Sequence, residues 1–317
     1  MKLNKIPNFF IIGAAKSGTT TLYNCLSQHP DIFLPKVKEP RYFCYDEFKH
    51  VYYYKFPMIK TWEKYLTLYN DVNEEKAIGD GSVHYLYFPN TANNIKDKIG
   101  HAKIIASLRM PTERAFSHYL MDLGTGFVSG EFENFLYKNA NDAFTYWHYL
   151  QYIELGLYYD QLKRYIDIFG RDNVKVILFD DLISNLSITL KEIFNFLDVS
   201  AEQNIDTNIY GRPFRIPKGK YFQKIYHLWF KNYHIRMFLK NILPDKIKTF
   251  LYYRLFHYNK PRMRNSTLQY LNNFYRKDIE NLNQLLDIDL NRWLNIPNAG
   301  YARNPNKHLD GEMPRLV

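Results

Sequence analysis

The chain has 317 residues, 46% of them hydrophobic, which is enough to form the core of one large domain or two small ones. Its two cysteines, Cys25 and Cys44, exclude a disulfide framework and a cysteine-based metal cluster, and are typical of a reducing compartment. No stretch approaches the ~20 consecutive apolar residues of a membrane span. We therefore expect a cytoplasmic protein without a transmembrane segment and without a bound metal.

Taken in chain order, the hydrophobic pattern predicts short buried strands that alternate with helices. The predicted strands are Phe9 to Ile12, Asp31 to Pro35, Lys76 to Asp80, Ala102 to Leu108 and Val174 to Phe179. The predicted helices begin after Gly18, at Asn90, at Pro111 (running through Met121) and at Gly156, and a further one ends at Leu197. This alternation favours an α/β fold with a central parallel sheet flanked by helices, in which ligands bind at the carboxyl ends of the strands.

The first strand is followed by a loop of small residues and then by a helix. The free N–H groups of a helix N-terminus and its dipole attract anions, and glycines let the backbone approach a phosphate closely. An ordinary tight turn with a solvated lysine is the alternative. We expect a phosphate group to bind the residues Lys16, Ser17, Gly18, Thr19, Thr20 and Thr21.

This loop differs from the nucleotide-binding P-loop, in which Lys follows the second glycine directly. Gly13 and Gly18 have the P-loop spacing, but Thr19 stands where that lysine belongs. The lysine is instead Lys16, inside the loop, nearer the first phosphate and its leaving oxygen. A kinase that uses Mg-ATP remains an alternative, although it needs a Lys at position 19 and an acidic residue at a strand end.

The run Lys16-Ser17-Gly18-Thr19-Thr20 resembles the 5′-phosphosulfate loop of sulfotransferases that use 3′-phosphoadenosine 5′-phosphosulfate (PAPS). The runs from Leu26 to Pro30 and from Lys38 to Phe43 are similar to the carbohydrate and heparan-sulfate-type branch and its bacterial relatives. Later matches lie at Leu155 to Leu162, at Val174 to Leu182 and at Asn273 to Leu286. The resemblance implies a P-loop-NTPase-like sulfotransferase fold, PAPS as the donor substrate, and a carbohydrate acceptor.

The resemblance also implies a general base. In the family, the acid of a Lys-Glu-Pro run takes the proton from the acceptor hydroxyl or amine, and here that acid is Glu39. Relatives commonly have His two residues later, where this chain has Arg41, so we expect Arg41 to position an anionic acceptor. Lys16 is expected to stabilise charge on the leaving phosphate oxygen.

A second phosphate-binding segment follows the strand that ends at Leu108. The run from Arg109 to Tyr119 is similar to the family's segment for the ribose 3′-phosphate, which implies that Arg109 and Ser117 bind that group. The fork of an arginine binds phosphate oxygens bidentately. A salt bridge at the helix end is the alternative role for an arginine here.

Near the third predicted strand, Gly81 stands where heparan-sulfate-type members carry a catalytic-site lysine. Its absence implies that Lys16 acts alone in stabilising charge, or that the acceptor differs. His84 lies close by in sequence and is a candidate acceptor-binding residue. A structural role in the core is the alternative for a lone histidine.

The net charge of +10 is concentrated in one segment. Between Arg212 and Arg264 there are 14 Lys or Arg residues and one acid, Asp245. Interleaved aromatic residues and partly helical spacing predict contact with an anionic polysaccharide or, peripherally, with an anionic membrane surface. A non-enzymatic binder of nucleic acid is a further alternative, although we expect no specific nucleic-acid partner.

Within the basic segment, Lys218, Gly219 and Lys220 stand where relatives place a loop over the 3′-phosphate. The residues from about 297 to 317 carry Gly, Asn and Pro and predict a loose tail. No linker marks a domain boundary. We therefore expect a single domain over residues 1–317, with the basic, aromatic-rich helical segment at about 212–264.

Overall fold

The computed structural model describes residues 5–51, 58–207, 216–219, 221–223, 225–226, 254–257 and 260–294. A parallel sheet lies at the centre of the fold. Its strands are β1 (Phe9–Gly13), β2 (Ile32–Phe33), β3 (Ala77–Gly81), β4 (Lys103–Leu108) and β5 (Val174–Leu178). They lie in the order β2-β3-β1-β4-β5, and every neighbouring pair is parallel. The predicted α/β fold is thereby confirmed.

Helices connect these strands and cover the sheet. They are α1 (Thr19–Leu26), α2 (Tyr45–Val51), α3 (Trp62–Leu66), α4 (Thr91–Ile99), α5 (Pro111–Thr125), α6 (Ala143–Tyr152), α7 (Tyr158–Phe169), α8 (Phe179–Ser184), α9 (Leu186–Phe196), α10 (Asn265–Leu286) and α11 (Asn291–Leu294). Within the described residues, no helix is long and apolar enough to cross a membrane.

The central strand β1 shows why its sequence is apolar throughout. Successive side chains of a strand point to opposite faces. Phe10 and Ile12 pack into the cluster formed with α4, α7 and α10, whereas Phe9 and Ile11 pack into the cluster formed with α1 and α9. Because both faces of the sheet are covered, the strand has no polar face.

Helix α5 begins as predicted and ends later than predicted. Pro111 occupies the first helical turn, where its missing N–H is not needed. The expected end was Met121, but the helix continues to Thr125 because Leu123 is buried in the core. Gly126, with φ of 76°, ends it in the left-handed conformation.

A short antiparallel pair lies beside this helix. Strand β6 (Ile216–Pro217) pairs with β7 (Phe256–His257), and β6 contacts α5. These residues are described parts of the basic segment 212–264, most of which lies outside the described residues, as do Lys220 and the predicted tail 297–317. Cys25 and Cys44 are buried and form no disulfide.

Candidate active site

The predicted phosphate loop joins the carboxyl end of β1 to the first turn of α1. Strand β4 holds it from the side. The Ala14 N–H donates to the Ser107 carbonyl at 2.7 Å, and the Ser107 hydroxyl donates to the Ser17 carbonyl at 2.5 Å. The loop is therefore fixed by its neighbouring strand before any ligand binds.

Gly18 opens the helix N-terminus to a ligand. Its φ of 79° lies in the left-handed region, which favours glycine. A Cβ at this position would lie 2.7 Å from Leu182 Cδ2, so a larger residue does not fit. Gly18 provides no side-chain cap for α1. The N–H groups of the first turn, which begins with Thr19, therefore remain available to an anion.

Lys16 brings a positive charge to this loop from a partly buried position. Burial lowers the pKa of its ammonium, the carboxyl of Asp122 counteracts this, and the guanidinium of Arg109 lowers the pKa further. Arg114 and Lys260 add to the same positive field. An anion placed here would face several cations at once, which favours its binding.

Arg109 directly follows β4, at the sheet edge that also holds the loop. Its guanidinium pairs with Glu113 at 3.0 Å and lies 4.7 Å from the centroid of the Phe179 ring. The helix-end salt bridge considered as an alternative is therefore present. The Arg109 side chain is still 19% exposed, so both roles are compatible. Ser117 lies on α5, partly buried.

The end of β3 brings Glu39 to the same edge. The Glu39 N–H donates to the Gly81 carbonyl at 3.0 Å, and the Arg41 N–H donates to the Ser82 hydroxyl at 3.2 Å. Ser82 in turn donates to Asp80, which is fully buried and also accepts from two tyrosine hydroxyls. Since β3 pairs with β1, this anchoring places the Glu39 segment beside the loop.

Glu39 forms an ion pair with Arg41. Burial alone would raise the pKa of the Glu39 carboxyl. The Arg41 guanidinium beside it, helped by the Lys38 ammonium, more than offsets burial and holds the pKa below its ordinary value. Glu39 is therefore ionised near neutral pH, as a general base must be.

His84 lies on the Glu39 side of the site, within the electrostatic range of Glu39 and Arg41. Its Nε2 is 3.2 Å from Oε1 of Gln151, and its ring packs 4.8 Å from that of Phe48, centroid to centroid. Among the described residues, Nδ1 is buried without a hydrogen-bond partner. Burial lowers the pKa of His84 to about 4, so the imidazole is neutral and one ring nitrogen can accept a proton or a hydrogen bond.

Tyr23 explains why residue 81 is glycine. A Cβ at Gly81 would lie 2.7 Å from Cδ2 of the Tyr23 ring, so the ring fills the space that a side chain at position 81 would enter. The Tyr23 hydroxyl is itself bonded to the carbonyl of Pro35. A lysine at position 81 is therefore incompatible with this packing.

Sequence reasoning missed three charged residues at the site. Lys38 donates to the hydroxyl of Thr20 on α1.

Asp122 is buried and accepts from the Tyr152 hydroxyl at 2.8 Å, and burial raises the pKa of its carboxyl to about 7. Lys260 follows β7, and its pKa is lowered by burial and by Arg109. The signal for Asp122 was an acid on an apolar helix face, one residue beyond the predicted end of α5.

Of the predicted segment Lys218 to Lys220, the structure describes Lys218 and Gly219. The Lys218 N–H donates to the carbonyl of Leu255 at 2.7 Å, and Gly219 follows it with φ of 77°. No group of three His, Cys, Asp or Glu side chains that could hold a metal occurs among the residues described. A cleft lined in part by Arg171, Lys175 and Leu286 lies at the opposite, amino-terminal edge of the sheet and contains none of the predicted site residues.

Known proteins resemble this chain in sequence and in fold. The sulfotransferase domain family matches residues 7–283. A solved sulfotransferase from Alicyclobacillus acidocaldarius is 28% identical, with a TM-score of 0.67 over 92% of this chain and 99% of that chain. This neighbour shares the P-loop-like sulfotransferase fold.

Curated relatives match over shorter shares of their length. The membrane-associated sulfotransferase kil1 of Dictyostelium discoideum is 37% identical over 118 residues, which are 37% of this chain and 23% of that protein. Mouse carbohydrate sulfotransferase 15 is 24% identical over 62% of this chain and 45% of its own. Mouse heparan sulfate glucosamine 3-O-sulfotransferase 3A1 is 25% identical over 61% of this chain and 46% of its own length. These matches span less than half of each relative, whereas the family match covers most of this chain, including Lys16, Glu39 and Arg109. The chain is therefore a member of the sulfotransferase family of enzymes.

Proposed function

We propose that the chain transfers the sulfuryl group of PAPS to a hydroxyl or amine of a carbohydrate acceptor. One observation supports this most directly. Lys38 precedes Glu39 in the chain, and its ammonium lies 2.7 Å from the hydroxyl of Thr20 on the phosphate loop. A candidate base and a candidate donor loop thus lie side by side, as transfer between two bound substrates requires.

The residues of the loop fit a 5′-phosphosulfate. The uncapped N-terminus of α1 can donate backbone hydrogen bonds to an anion. In this proposal the anion is surrounded by Lys16, Ser17, Gly18, Thr19, Thr20 and Thr21. Arg109, which follows the neighbouring strand β4, would hold the ribose 3′-phosphate with Ser117. The Lys218 to Lys220 segment would close over this phosphate.

In the proposed reaction, Glu39 takes the proton of the acceptor hydroxyl or amine. The acceptor atom forms a bond to sulfur while the bond between sulfur and the 5′-phosphate oxygen breaks. Lys16 stabilises the charge that develops on this leaving oxygen. Because the residues mainly position the reactants and balance charge, the chemistry parallels phosphoryl transfer.

The guanidinium of Arg41 beside Glu39 favours an anionic carbohydrate as the acceptor. Arg41 is only 11% exposed and pairs with Glu39, while His84 presents a neutral ring nearby. A carboxylate or sulfate on the acceptor could bind Arg41 and orient the reacting group toward Glu39. The basic segment from Arg212 to Arg264 would extend this contact along a polysaccharide.

The two alternatives have weaker support. A kinase would need a lysine at position 19, where helix α1 begins with Thr19. A non-enzymatic binder through the basic segment leaves the Lys16 loop and the Glu39–Arg41 pair without a role. A cytoplasmic location remains a prediction.

The proposal is tested by incubating the protein with PAPS and three acceptor classes: a neutral oligosaccharide, a uronate-containing one, and one with a free amine. We expect formation of 3′-phosphoadenosine 5′-phosphate (PAP) together with a sulfated sugar, and loss of both with Glu39→Gln. Glu202→Gln changes an exposed acid and serves as the matched control. Phosphorylation of the same acceptors with Mg-ATP, without sulfation, would contradict the proposal.

A further inference from the structure

Lys38 is a charged residue at the site to which the reaction above assigns no chemical role. Its ammonium donates to Thr20 Oγ1 at 2.7 Å and lies 5.8 Å from the centroid of the Tyr23 ring. It is partly buried, whereas Lys36 on the same segment is exposed. Lys38 therefore stands at the mouth of the phosphate loop, next in the chain to Glu39.

The backbone on both sides of Lys38 is tied to the core. On the N-terminal side of Lys38, the hydroxyl of Tyr23 donates to the carbonyl of Pro35. On its C-terminal side, the N–H of Glu39 donates to the carbonyl of Gly81 at 3.0 Å. These bonds connect the segment to α1 and to β3, so the backbone that carries Lys38 is anchored beside the phosphate loop.

The hydrogen bond to Thr20 leaves donors available for an anion. An ammonium has three N–H donors and no acceptor, so the Thr20 oxygen accepts from Lys38. The hydroxyl proton of Thr20 is then left to donate elsewhere, as are the remaining N–H groups of Lys38. Lys38 and Thr20 thus offer two adjacent donors at the N-terminal turn of α1, on the side on which Glu39 lies.

Lys38 and Lys16 approach the loop from different sides. Lys16 lies within the field of Arg109 and Asp122, toward β4 and α5. Lys38 lies toward β3 and within the field of Glu39 and Arg41. A group that moves from the loop to an acceptor near Glu39 leaves the neighbourhood of Lys16 and enters that of Lys38.

We propose that Lys38 is a second catalytic cation, which contacts the oxygens of the sulfuryl group as it passes to the acceptor. This inference rests on the proposed function. Lys38 takes no proton: Glu39 receives the acceptor proton, and the leaving oxygen takes the electron pair of the broken S–O bond. The Lys38 charge offsets the negative charge on the sulfuryl oxygens during this exchange.

The test compares Lys38→Met, which keeps most of the aliphatic stem, with Lys36→Met as the matched control. For each we would measure kcat, the KM for PAPS and the Kd for PAP, which lacks the sulfuryl group. We expect Lys38→Met to lower kcat by roughly 10²-fold, with the Kd for PAP changed by less than about threefold. Lys36→Met should match the wild type, and Lys38→Arg should restore part of kcat.

An unchanged kcat in Lys38→Met would overturn the proposal, as would a loss of PAP affinity in proportion to the loss of kcat. If a thermal melt shows that Lys38→Met is not folded, Lys38→Gln provides the same comparison, because the glutamine amide can still donate to Thr20. Failure of the proposed function itself is distinguishable, since the wild type would then not convert PAPS to PAP and a sulfated sugar.

Discussion

Arg41 holds the carboxylate of Glu39 in an ion pair, with the side chains 11% and 22% exposed, respectively. The candidate base and the cation that restrains it are thus two residues apart in the chain, on a segment anchored to the end of β3. The pairing keeps Glu39 ionised but also makes it a weaker base. An anionic group of the acceptor that engages Arg41 would relieve this restraint.

Removal of the Arg41 charge should change the pH dependence of the reaction. The pKa of Glu39 is lowered in the presence of Arg41, so Arg41→Gln should raise it. Since Glu39 must be deprotonated to act, the acidic limb of the kcat/KM profile should move to higher pH. Arg276→Gln, at an exposed arginine, is the control. An unmoved acidic limb would show that Arg41 does not tune the base.

Lys16 should matter more for turnover than for donor affinity. Its proposed role is to stabilise charge that develops only as the S–O bond breaks. Lys16→Ala should therefore lower kcat by roughly 10²-fold or more, with a smaller effect on the Kd for PAP. Comparing single-turnover rates with PAP titrations measures the two effects separately. Equal losses in both would assign Lys16 to donor binding alone.

The contact between Gly81 and Tyr23 predicts a packing defect. A Cβ at residue 81 would approach the Tyr23 ring to 2.7 Å, so Gly81→Ala should lower the free energy of unfolding by about 1–3 kcal/mol. Urea denaturation measures the change. In the Tyr23→Ala background the same substitution should cost less, because the obstructing ring is gone. Additive losses in the double variant would rule out this steric explanation.

Asp122 should make stability depend on pH. Burial raises its pKa to about 7, whereas an unfolded aspartate titrates near the ordinary value of 3.8. The folded state therefore binds the proton more tightly, and stability falls as pH rises from about 4 to 7. Asp122→Asn cannot titrate, so it should be more stable than the wild type at pH 8, by roughly 1–4 kcal/mol, and similar at pH 4. A difference that does not vary with pH would contradict this assignment.

Local patterns in the sequence predicted the elements that carry the donor site. The apolar run from Phe9, the glycines around Lys16 and the helical spacing after Thr19 are all encoded within a few residues of one another. The same holds for β4 and for Pro111 at the start of α5. Such features depend on backbone geometry and burial, which short stretches of sequence express directly.

Contacts between distant segments could not be predicted in this way. Nothing in the sequence indicates that Tyr23 fills the space at residue 81, or that Lys38 bonds to Thr20. Asp122 escaped notice because the end of α5 depends on the burial of Leu123. The Glu39–Arg41 pair is local in sequence, yet its orientation depends on the end of β3, which tertiary structure supplies.

The most direct test of the donor assignment is a thermal shift with PAP, measured against ADP and Mg-ATP. A ligand that binds the folded state raises the melting temperature. PAP should stabilise the wild type selectively, and Arg109→Ala should abolish this effect while Arg276→Ala retains it. Equal or greater stabilisation by Mg-ATP would contradict a PAPS-dependent sulfotransferase and favour a kinase.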